Sequence, residues 1–454
     1  MNDAKARQQE RIENYKAILS GKMPHRVPIN ISLDLHCIAN FGKIDPKEAL
    51  WGPSILKDAA EKMCQTLFSD NCPYGGTIRF PSFYHILKSQ NYQMGKNGFI
   101  QHPEVVGMLP EDYDYLIENP YDCLMERVVP RQHKALCQND PIQSAISLFK
   151  AFRARNNALA ESAQISRYLT EKYGYTSFRA LAPGGNTSAP FDFLADQLRS
   201  FSGISMDVRR IPDKVAAACD ALYPIMFQKG LPLNYNEFSI VGNMMHMPTF
   251  MREKDFAKLF YPTFKQQIEE YASLGIKMFI FCEDDWMRYL DYLVDLPTNT
   301  IIMFEYGDPK IIKEKLGKKH ILTGLYPISL VKNGTRQQVI DKAKELIDIM
   351  APGGKYMFCM DKSPLSLADI NLDNLCALTE FVRDYAVYDN YGEETGLQFN
   401  QDDYKMTPSS DFTSKYYQAP KQLKAASPEI PAYGLDKLLE LEHMTFIDMM
   451  FLLV

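Results

Sequence analysis

Charged side chains stand directly after several apolar segments of this chain, at positions where strands would end. A charged group beside a buried strand costs free energy unless a partner or a metal ion compensates it. Charged residues at such positions are therefore candidates for catalysis or metal binding. They are Glu283 after residues 277–282, Glu305 after residues 300–304, and Asp361 with Lys362 after residues 356–359.

The candidates include side chains of the types that bind divalent metals. Glu283 and Glu305 end neighbouring apolar segments, and Cys359 ends a later one. His246 follows the apolar segment around Asn234. Zinc accepts His, Cys and carboxylate ligands, and it keeps one position open when it is catalytic. We therefore predict a zinc site formed by Glu283, Glu305, Cys359 and His246.

Further polar residues follow predicted strands and would face the same opening. Asp34 and His36 follow the predicted strand 27–33, and Asn236 belongs to the end of the predicted strand 231–238. The carboxyl ends of parallel strands meet at one face of a sheet or barrel, where active sites are built. We predict that these three residues contact the substrate.

Ordinary structural roles would explain some of these residues equally well. Glu283 and the two aspartates after it could begin a helix at Met287, because acidic residues favour a helix N-terminus. Cys359 could be a small buried core residue, which is the commoner fate of cysteine. Asp308 is best explained as the N-cap of a helix that starts at Pro309.

Strand and helix patterns alternate from residue 177 to residue 388, which is typical of a parallel sheet covered by helices. Continuous apolar strands such as residues 277–282 suit a sheet that is covered on both faces. No Gly-x-Gly-x-x-Gly follows a predicted strand, which argues against a dinucleotide-binding sheet. The pattern therefore predicts an α/β protein with a (β/α)8 TIM barrel.

The regions outside this alternation predict additions to the barrel. We predict an N-terminal helix in residues 1–24 and the barrel in residues 25–392, with a cap inserted around residues 35–140. Residues 393–454 are predicted to be a C-terminal extension that ends in an amphipathic helix. Residues 444–454 are strongly apolar and would form a docking helix or a homodimer contact.

Composition and charge exclude several classes of partner. The 454 residues carry a net charge of −6 and no stripe of Lys and Arg, so no nucleic acid partner is expected. The nine cysteines form no Cys-x-x-Cys, which favours a reducing cytoplasm over a disulfide framework. No apolar run is long enough to cross a bilayer, so no membrane partner is expected.

Five segments, in the same order along the chain, resemble the uroporphyrinogen decarboxylase superfamily. They are ERIENYKAILSGKMPHRVPI (10–29), GISMDVRRIPDKV (203–215), DFAKLFYPTFKQQIEEYASLGIKMFIFCEDD (255–285), HILTGLYPISLVKNGTRQQVIDKAKELI (320–347) and GGKYMFCMDKSP (353–364). Phe68-Ser69-Asp70 resembles the Phe-Ser-Asp of the decarboxylases, which implies that Asp70 contacts a polar group of the substrate. The resemblance also implies a TIM barrel.

Departures from the decarboxylase pattern resemble the corrinoid methyltransferase branch of that superfamily. The first strand runs into NISLDLHCIANFG (30–42) without the Arg-rich segment of the decarboxylases, so a polycarboxylate porphyrinogen would lack its cationic clamp. Members that methylate coenzyme M bind zinc through His-Xaa-Cys, where this chain has Phe281-Cys282-Glu283. The successive pairs Cys282-Glu283, Phe304-Glu305 and Asp361-Lys362 are more similar to the O-demethylase members of the superfamily.

This resemblance implies a methyltransferase that moves a methyl group from a small methylated donor, such as an aryl methyl ether, to the cobalt of a partner corrinoid protein. Zinc would act as a Lewis acid on the ether oxygen. Asp361 or Lys362 would serve the leaving oxygen by proton donation or charge stabilisation. Two alternatives stay open, namely decarboxylation of a porphyrinogen and a non-catalytic barrel that handles corrinoids.

Overall fold

Short parallel strands form the central sheet of the protein. The computed structural model describes residues 2–75, 77, 79–136, 139–176, 181–406 and 412–454. Its strands are the hairpin β1 (Gln93–Met94) and β2 (Ile100–Gln101), and then β3 (Asn186–Thr187), β4 (Ile240–Met245), β5 (Lys277–Asp285), β6 (Ile301–Tyr306) and β7 (Ile321–Gly324). The sheet order β3–β4–β5–β6–β7 follows the chain, and every neighbouring pair is parallel.

Isolated parallel bridges extend this sheet past β7. They join Leu322 to Tyr356, Tyr326 to Met360, Ile29 to Phe358, and Leu33 to Tyr74. The predicted strands 27–33 and 356–359 are therefore present as isolated bridges rather than continuous strands. Most of the predicted strand 177–181 lies outside the described residues, and within those residues no pairing joins Tyr74 to β3. Within the described residues the architecture is an α/β barrel-like arc, in which no strand pairing closes the predicted barrel.

Helices connect the strands and cover the outer face of the sheet. The α-helices are Asn2–Leu19, Leu35–Phe41, Pro46–Trp51, Lys57–Thr66, Pro81–Leu87, Tyr113–Glu118, Pro120–Cys123, Val129–Gln132, Pro141–Tyr173, Pro190–Asp192, Ser200–Arg210, Pro212–Gly230, Glu253–Asp255, Tyr261–Ser273, Leu290–Val294, Pro309–Leu316, Ile328–Asn333, Arg336–Met350, Leu372–Tyr385, Pro420–Ala426 and Ala432–Asp448. Short 3-10 helices are Pro53–Leu56, Pro110–Asp112, Pro248–Phe250, Met287–Tyr289, Leu367–Asp369 and Gln401–Asp403. The π-helical segments are Leu124–Val128, Phe193–Arg199, Phe256–Phe260 and Met449–Leu453.

The N-terminal helix closes the end of the sheet where the strands begin. Its apolar face contributes Tyr15, Ile18 and Leu19 to a buried cluster with Ile301 and Ile321, which are the first residues of β6 and β7. All five side chains are at most 1% exposed. The candidate site lies at the opposite end of the sheet, where the strands end.

One predicted strand lies in the wrong place. Residues 231–238 were predicted to be a strand, but the strand is β4, which begins at Ile240. Pro232 cannot donate to a sheet. The Asn236 carboxamide oxygen accepts a hydrogen bond from the Phe238 backbone N–H at 2.8 Å, which stabilises a turn instead. Residues 231–239 are thus the connection into β4.

The C-terminal segment folds back onto the cap. Its last residues, Leu452, Leu453 and Val454, are at most 2% exposed. The Phe451 carbonyl accepts a hydrogen bond from Arg79 at 3.2 Å. These contacts confirm a docking helix, whereas the homodimer stays a prediction. Within the described parts of the chain, none of the helices combines the length and apolar character needed to cross a membrane.

Candidate functional site

An irregularity at the end of β5 shapes the first part of the site. The register between β5 and β6 shifts between Cys282 and Asp285, and Asp284 has a φ of 58°. This bulge directs the Asp284 backbone N–H to a carboxylate oxygen of Glu305, at 2.9 Å. Bulges occur often beside active sites, where they redirect a side chain. Glu283 lies within β5, which ends at Asp285, so the interpretation that Glu283 begins a helix at Met287 is wrong.

His246 and Glu283 form an ion pair at the ends of β4 and β5. The Nδ1 atom of His246 lies 2.7 Å from Oε2 of Glu283. The hydrogen bond to Glu283 raises the pKa of His246 to about 9, with help from the charge of Asp192 and against the effect of burial. His246 is therefore an imidazolium at neutral pH. Asp192 supports this corner, because its carboxylate accepts the backbone N–H of His246 at 3.1 Å.

Glu305 and Lys362 form a second ion pair across the same face. The Lys362 ammonium donates a hydrogen bond to the Glu305 carboxylate. Burial alone would raise the pKa of Glu305, but the bonds from Lys362 and the Asp284 N–H lower it. The hydrogen bond to Glu305 likewise raises the pKa of Lys362. Both groups are therefore charged at neutral pH.

Asp361 fixes the loop that carries Lys362. Its Oδ1 atom accepts the backbone N–H of Lys362 at 2.8 Å and that of Ile328 at 3.1 Å. Burial raises the pKa of Asp361, although these two hydrogen bonds act in the opposite direction. Asp361 thus holds the chain that positions Lys362. We call His246, Glu283, Glu305, Asp361 and Lys362 the strand-end cluster.

A cavity of about 330 Å³ lies inside the arc of strands, next to this cluster. We call it the axial cavity. Its walls are Asn30, Ile31, Ser32, Asn71, Ile240, Phe279, Ile301, Met303, Thr323, Met357, Cys359, Met360, Lys362 and Ser363. Alternate residues of β6, such as Ile301 and Met303, line it, as the twofold repeat of a strand requires. Of these described lining residues, Lys362 alone carries a full charge at neutral pH, because burial raises the pKa of the Cys359 thiol to about 12.

Comparison with known protein families assigns this chain to one of them. A family model described as "Uroporphyrinogen decarboxylase (URO-D)" matches residues 154–385, which is just over half of the chain and includes β3 to β7. The chain belongs to the uroporphyrinogen decarboxylase family. No curated protein matches it. Membership implies a TIM barrel, and proteins of this superfamily are generally enzymes. The strand-end cluster and the axial cavity are therefore the candidate active site of this uroporphyrinogen decarboxylase family member.

Three of the predicted zinc ligands of this family member gather at the strand ends, but the four do not form one coordination site. Among the described residues no group of three or more His, Cys, Asp or Glu side chains could hold a metal ion. Glu283 is paired with His246, Glu305 is paired with Lys362, and the neutral Cys359 thiol faces the axial cavity. Zinc binds deprotonated ligands, so it would displace the Cys359 proton and the partners of both carboxylates. The four-residue ligand set is therefore not assembled in this structure, and the set and the bound zinc ion both stay predictions.

Asp70 was predicted to contact the substrate, but it does not line the axial cavity. Its carboxylate forms a bidentate ion pair with Arg26, at 2.7 and 2.6 Å, and it accepts the Ile29 backbone N–H at 2.7 Å. Arg11 lies 3.7 Å away, and Asp70 is 0% exposed. Its oxygens are occupied within the protein, so Asp70 secures the first strand segment. The next residue, Asn71, lines the axial cavity instead.

Asp34 and His36 lie at the strand ends but bind each other. Asp34 is the N-cap of the helix Leu35–Phe41, and its carboxylate lies 2.5 Å from Nδ1 of His36. Nε2 of His36 lies 2.9 Å from the Gly98 carbonyl in the hairpin. Burial lowers the pKa of His36, but these two hydrogen bonds outweigh it and raise the pKa overall. The pair attaches the cap to the sheet and is absent from the axial cavity lining.

Asn236 lies at the other end of the sheet. It precedes β4, and its carboxamide donates to the Leu181 carbonyl at 3.3 Å. The cavity that it borders includes Lys277, the first residue of β5. The prediction that Asn236 shares a site with Glu283 depended on the misplaced strand. Its position does not bring it to the strand-end cluster.

Sequence reasoning missed a second cavity, of about 470 Å³, on the other side of His246. We call it the side chamber. Its walls are Arg79, Tyr92, His102, Asn186, Thr187, Ser188, Asp192, Phe193, Asp196, Gln197, Lys229, Gly242, Met244, His246, Met450, Phe451 and Val454. Lys229 stands at the end of the helix Pro212–Gly230, where a lysine is ordinary on the surface. Only the tertiary fold reveals that it is buried.

Proposed function

We propose that this family member transfers a methyl group from a small methylated donor, in the first place an aryl methyl ether, to the cobalt of a corrinoid carried by a separate protein. The observation that carries the proposal is the axial cavity, which is small and largely apolar, with Lys362 as its one charged lining residue among those described. Small-molecule sites are typically apolar clefts with a few placed polar groups. A neutral ether matches this lining.

The same lining argues against a porphyrinogen as substrate. A porphyrinogen has four pyrrole rings and several carboxylates, which require arginines or other cations in the site. The axial cavity, at about 330 Å³, lies near the lower limit for sites of small ligands. Its described walls contain no arginine. Decarboxylation of a porphyrinogen is therefore the less well supported activity.

The chemistry requires stabilisation of the leaving oxygen. The methyl–oxygen bond breaks, its electron pair stays on the oxygen, and the oxygen must take up a proton or meet a positive charge. Lys362 supplies that charge or proton from the cavity wall. Glu305 keeps Lys362 protonated and fixes its direction, and Asp361 fixes its backbone. The partner's corrinoid supplies the cobalt nucleophile when bound.

The neighbouring His246–Glu283 pair provides a second proton donor at the same face. With a pKa of about 9, His246 holds a proton at neutral pH and can release it to a developing oxyanion. It lines the side chamber rather than the axial cavity, so we assign it a supporting role. The predicted zinc ligands do not form one coordination site among the described residues, so no step of the proposal involves a metal.

A paired assay tests this function. Methoxylated aromatics and methylamines are offered with a reduced corrinoid protein, and methylation of cobalt is followed by its absorbance. The same preparation receives uroporphyrinogen, with released CO₂ as the readout, and is analysed for zinc. We expect cobalt methylation from at least one methoxylated aromatic and no CO₂. Release of CO₂ without cobalt methylation would overturn the proposal.

A further inference from the structure

Lys229 is a buried cation on the wall of the side chamber. It is 6% exposed, and among the described residues it has neither a hydrogen-bond acceptor nor a carboxylate partner. Its ammonium lies 4.3 Å from the ring centroid of Phe451 and 5.6 Å from that of Phe193. Burial, together with the charge of Arg79, lowers the pKa of Lys229 to about 7.

Arg79 is a second cation on the same wall. Its Nη1 atom donates to the Tyr84 hydroxyl at 2.8 Å and to the Phe451 carbonyl at 3.2 Å, and its guanidinium lies 4.1 Å from the ring centroid of Tyr92. Within the described chain no carboxylate forms an ion pair with it. Two neighbouring cations in a desolvated place are costly without a counter-ion.

The two aspartates that line the side chamber accept hydrogen bonds from other groups of the protein. Asp192 accepts the backbone N–H groups of His246 at 3.1 Å and Met247 at 2.9 Å. Asp196 accepts a hydrogen bond from the Gln197 carboxamide at 2.5 Å. Burial alone would lower the pKa of Arg79 and the charge of Asp196 raises it, but neither Lys229 nor Arg79 forms an ion pair with an acid among the described residues.

We propose that the side chamber binds a small organic carboxylate, with the carboxylate against Lys229 and Arg79 and an apolar body against Phe193 and Met244. Arginine and lysine bind carboxylates through charge-assisted hydrogen bonds, which strengthen where water is excluded. Aromatic and thioether side chains on the remaining wall suit a flat apolar group. The side chamber shares no described lining residue with the axial cavity, although His246 of the strand-end cluster lines the chamber. The inference does not depend on methyl transfer.

An isosteric pair of probes tests the site. Benzoate and benzamide have nearly the same shape and differ in charge, and acetate with acetamide forms a smaller pair. Calorimetry on the full chain measures the Kd of each compound. We expect at least one carboxylate to bind about ten-fold or more tightly than its amide. Equal or absent binding of the members of both pairs would overturn the proposal.

Two variants assign the preference to the cations. In Lys229→Met and in Arg79→Gln, we expect the ratio of amide Kd to carboxylate Kd to fall to about one. The matched control is Lys277→Met, because Lys277 is a buried lysine at the other end of the sheet, where its ammonium donates to the Glu237 carbonyl at 2.6 Å. The control should keep the wild-type ratio. A carboxylate preference that persists in both side-chamber variants would overturn the proposal.

Discussion

Asp70 and Glu305 are both acids that the sequence analysis selects as candidates for the site, yet the protein places them in opposite surroundings. Asp70 is completely buried, and Arg26 together with the Ile29 N–H occupies its oxygens. The Glu305 side chain is 23% exposed, and its partner Lys362 is 53% exposed and lines the axial cavity. The difference separates an ion pair that holds the fold from one that can reach a substrate.

Burial and partner geometry decide this division rather than residue type. A buried, fully bonded carboxylate has no free lone pair for a substrate, and its loss leaves an unpaired charge in a dry place. A partly exposed pair contributes little to stability, and it can exchange its partner for a ligand. Substitutions at the two places should therefore give opposite patterns of stability and activity.

Asp70→Asn should have the largest effect, and it should act on stability. Removing one partner of a buried ion pair costs about 3–5 kcal/mol, because Arg26 and Arg11 lose their buried counter-ion and Arg26 keeps only the half-exposed Glu10 at 3.4 Å. Urea unfolding followed by circular dichroism measures the free energy of unfolding. Asp291→Asn is the matched control, since Asp291 pairs with Lys315 while its side chain is 82% exposed, and it should lose less than about 1 kcal/mol. Equal losses in the two variants would break the comparison.

Glu305→Gln should have the next largest effect, on activity rather than stability. Lys362 would lose the carboxylate that directs it and raises its pKa, so the rate of methyl transfer should fall about ten- to one-hundred-fold. The free energy of unfolding should change by less than about 1 kcal/mol. Glu345→Gln breaks an exposed pair with Lys342 and should keep the wild-type rate. A Glu305→Gln enzyme that is unstable yet fully active per folded molecule would reverse the assignment.

Asp308→Ala should produce a smaller effect, confined to stability. Asp308 caps the helix Pro309–Leu316 by accepting the backbone N–H groups of Lys310 at 2.8 Å and Ile311 at 3.2 Å. Loss of such a cap costs about 1 kcal/mol. Thermal unfolding should show this loss while the transfer rate stays unchanged. A lower rate at full stability would place Asp308 with the functional acids.

His246→Gln should have the smallest effect, visible as a change in pH dependence. The pKa of His246 is about 9 in the folded protein, against about 6.5 in an unfolded chain. The stability that this shift contributes is fully present below pH 6.5 and is lost as the pH rises through about 9. The difference in unfolding free energy between wild type and His246→Gln should shrink over that interval. A constant difference would show that the His246–Glu283 pair is not formed.

Local signals in the sequence predicted much of the helical framework. The N-terminal helix, observed as Asn2–Leu19, and the cap of the helix Pro309–Leu316 by Asp308 are both confirmed. Periodicity, N-cap residues and proline positions are local, so they can be recognised without the fold. The strand before His246 could not be placed in this way, because an apolar segment with Asn and Pro resembles both a strand and a connection. Its register is set by pairing with β5.

The candidate site was predicted as a set of residues but not as a set of partners. Glu283, Glu305, His246 and Lys362 do gather at the strand ends, whereas their pairing depends on the bulge at Asp284 and on the loop held by Asp361. Such contacts join residues far apart in the chain. The side chamber was missed for the same reason, since Lys229 is buried among residues distant in the chain, Phe193 and Phe451.

The central claim is that Lys362 stabilises the oxygen that leaves from the axial cavity. The most direct measurement compares the rate of cobalt methylation for the wild type, Lys362→Met and the control Lys332→Met. The control replaces an exposed lysine of the helix Ile328–Asn333. We predict a fall of about one-hundred-fold or more for Lys362→Met at unchanged stability, and the wild-type rate for Lys332→Met. A Lys362→Met protein that methylates cobalt at the wild-type rate would contradict the account.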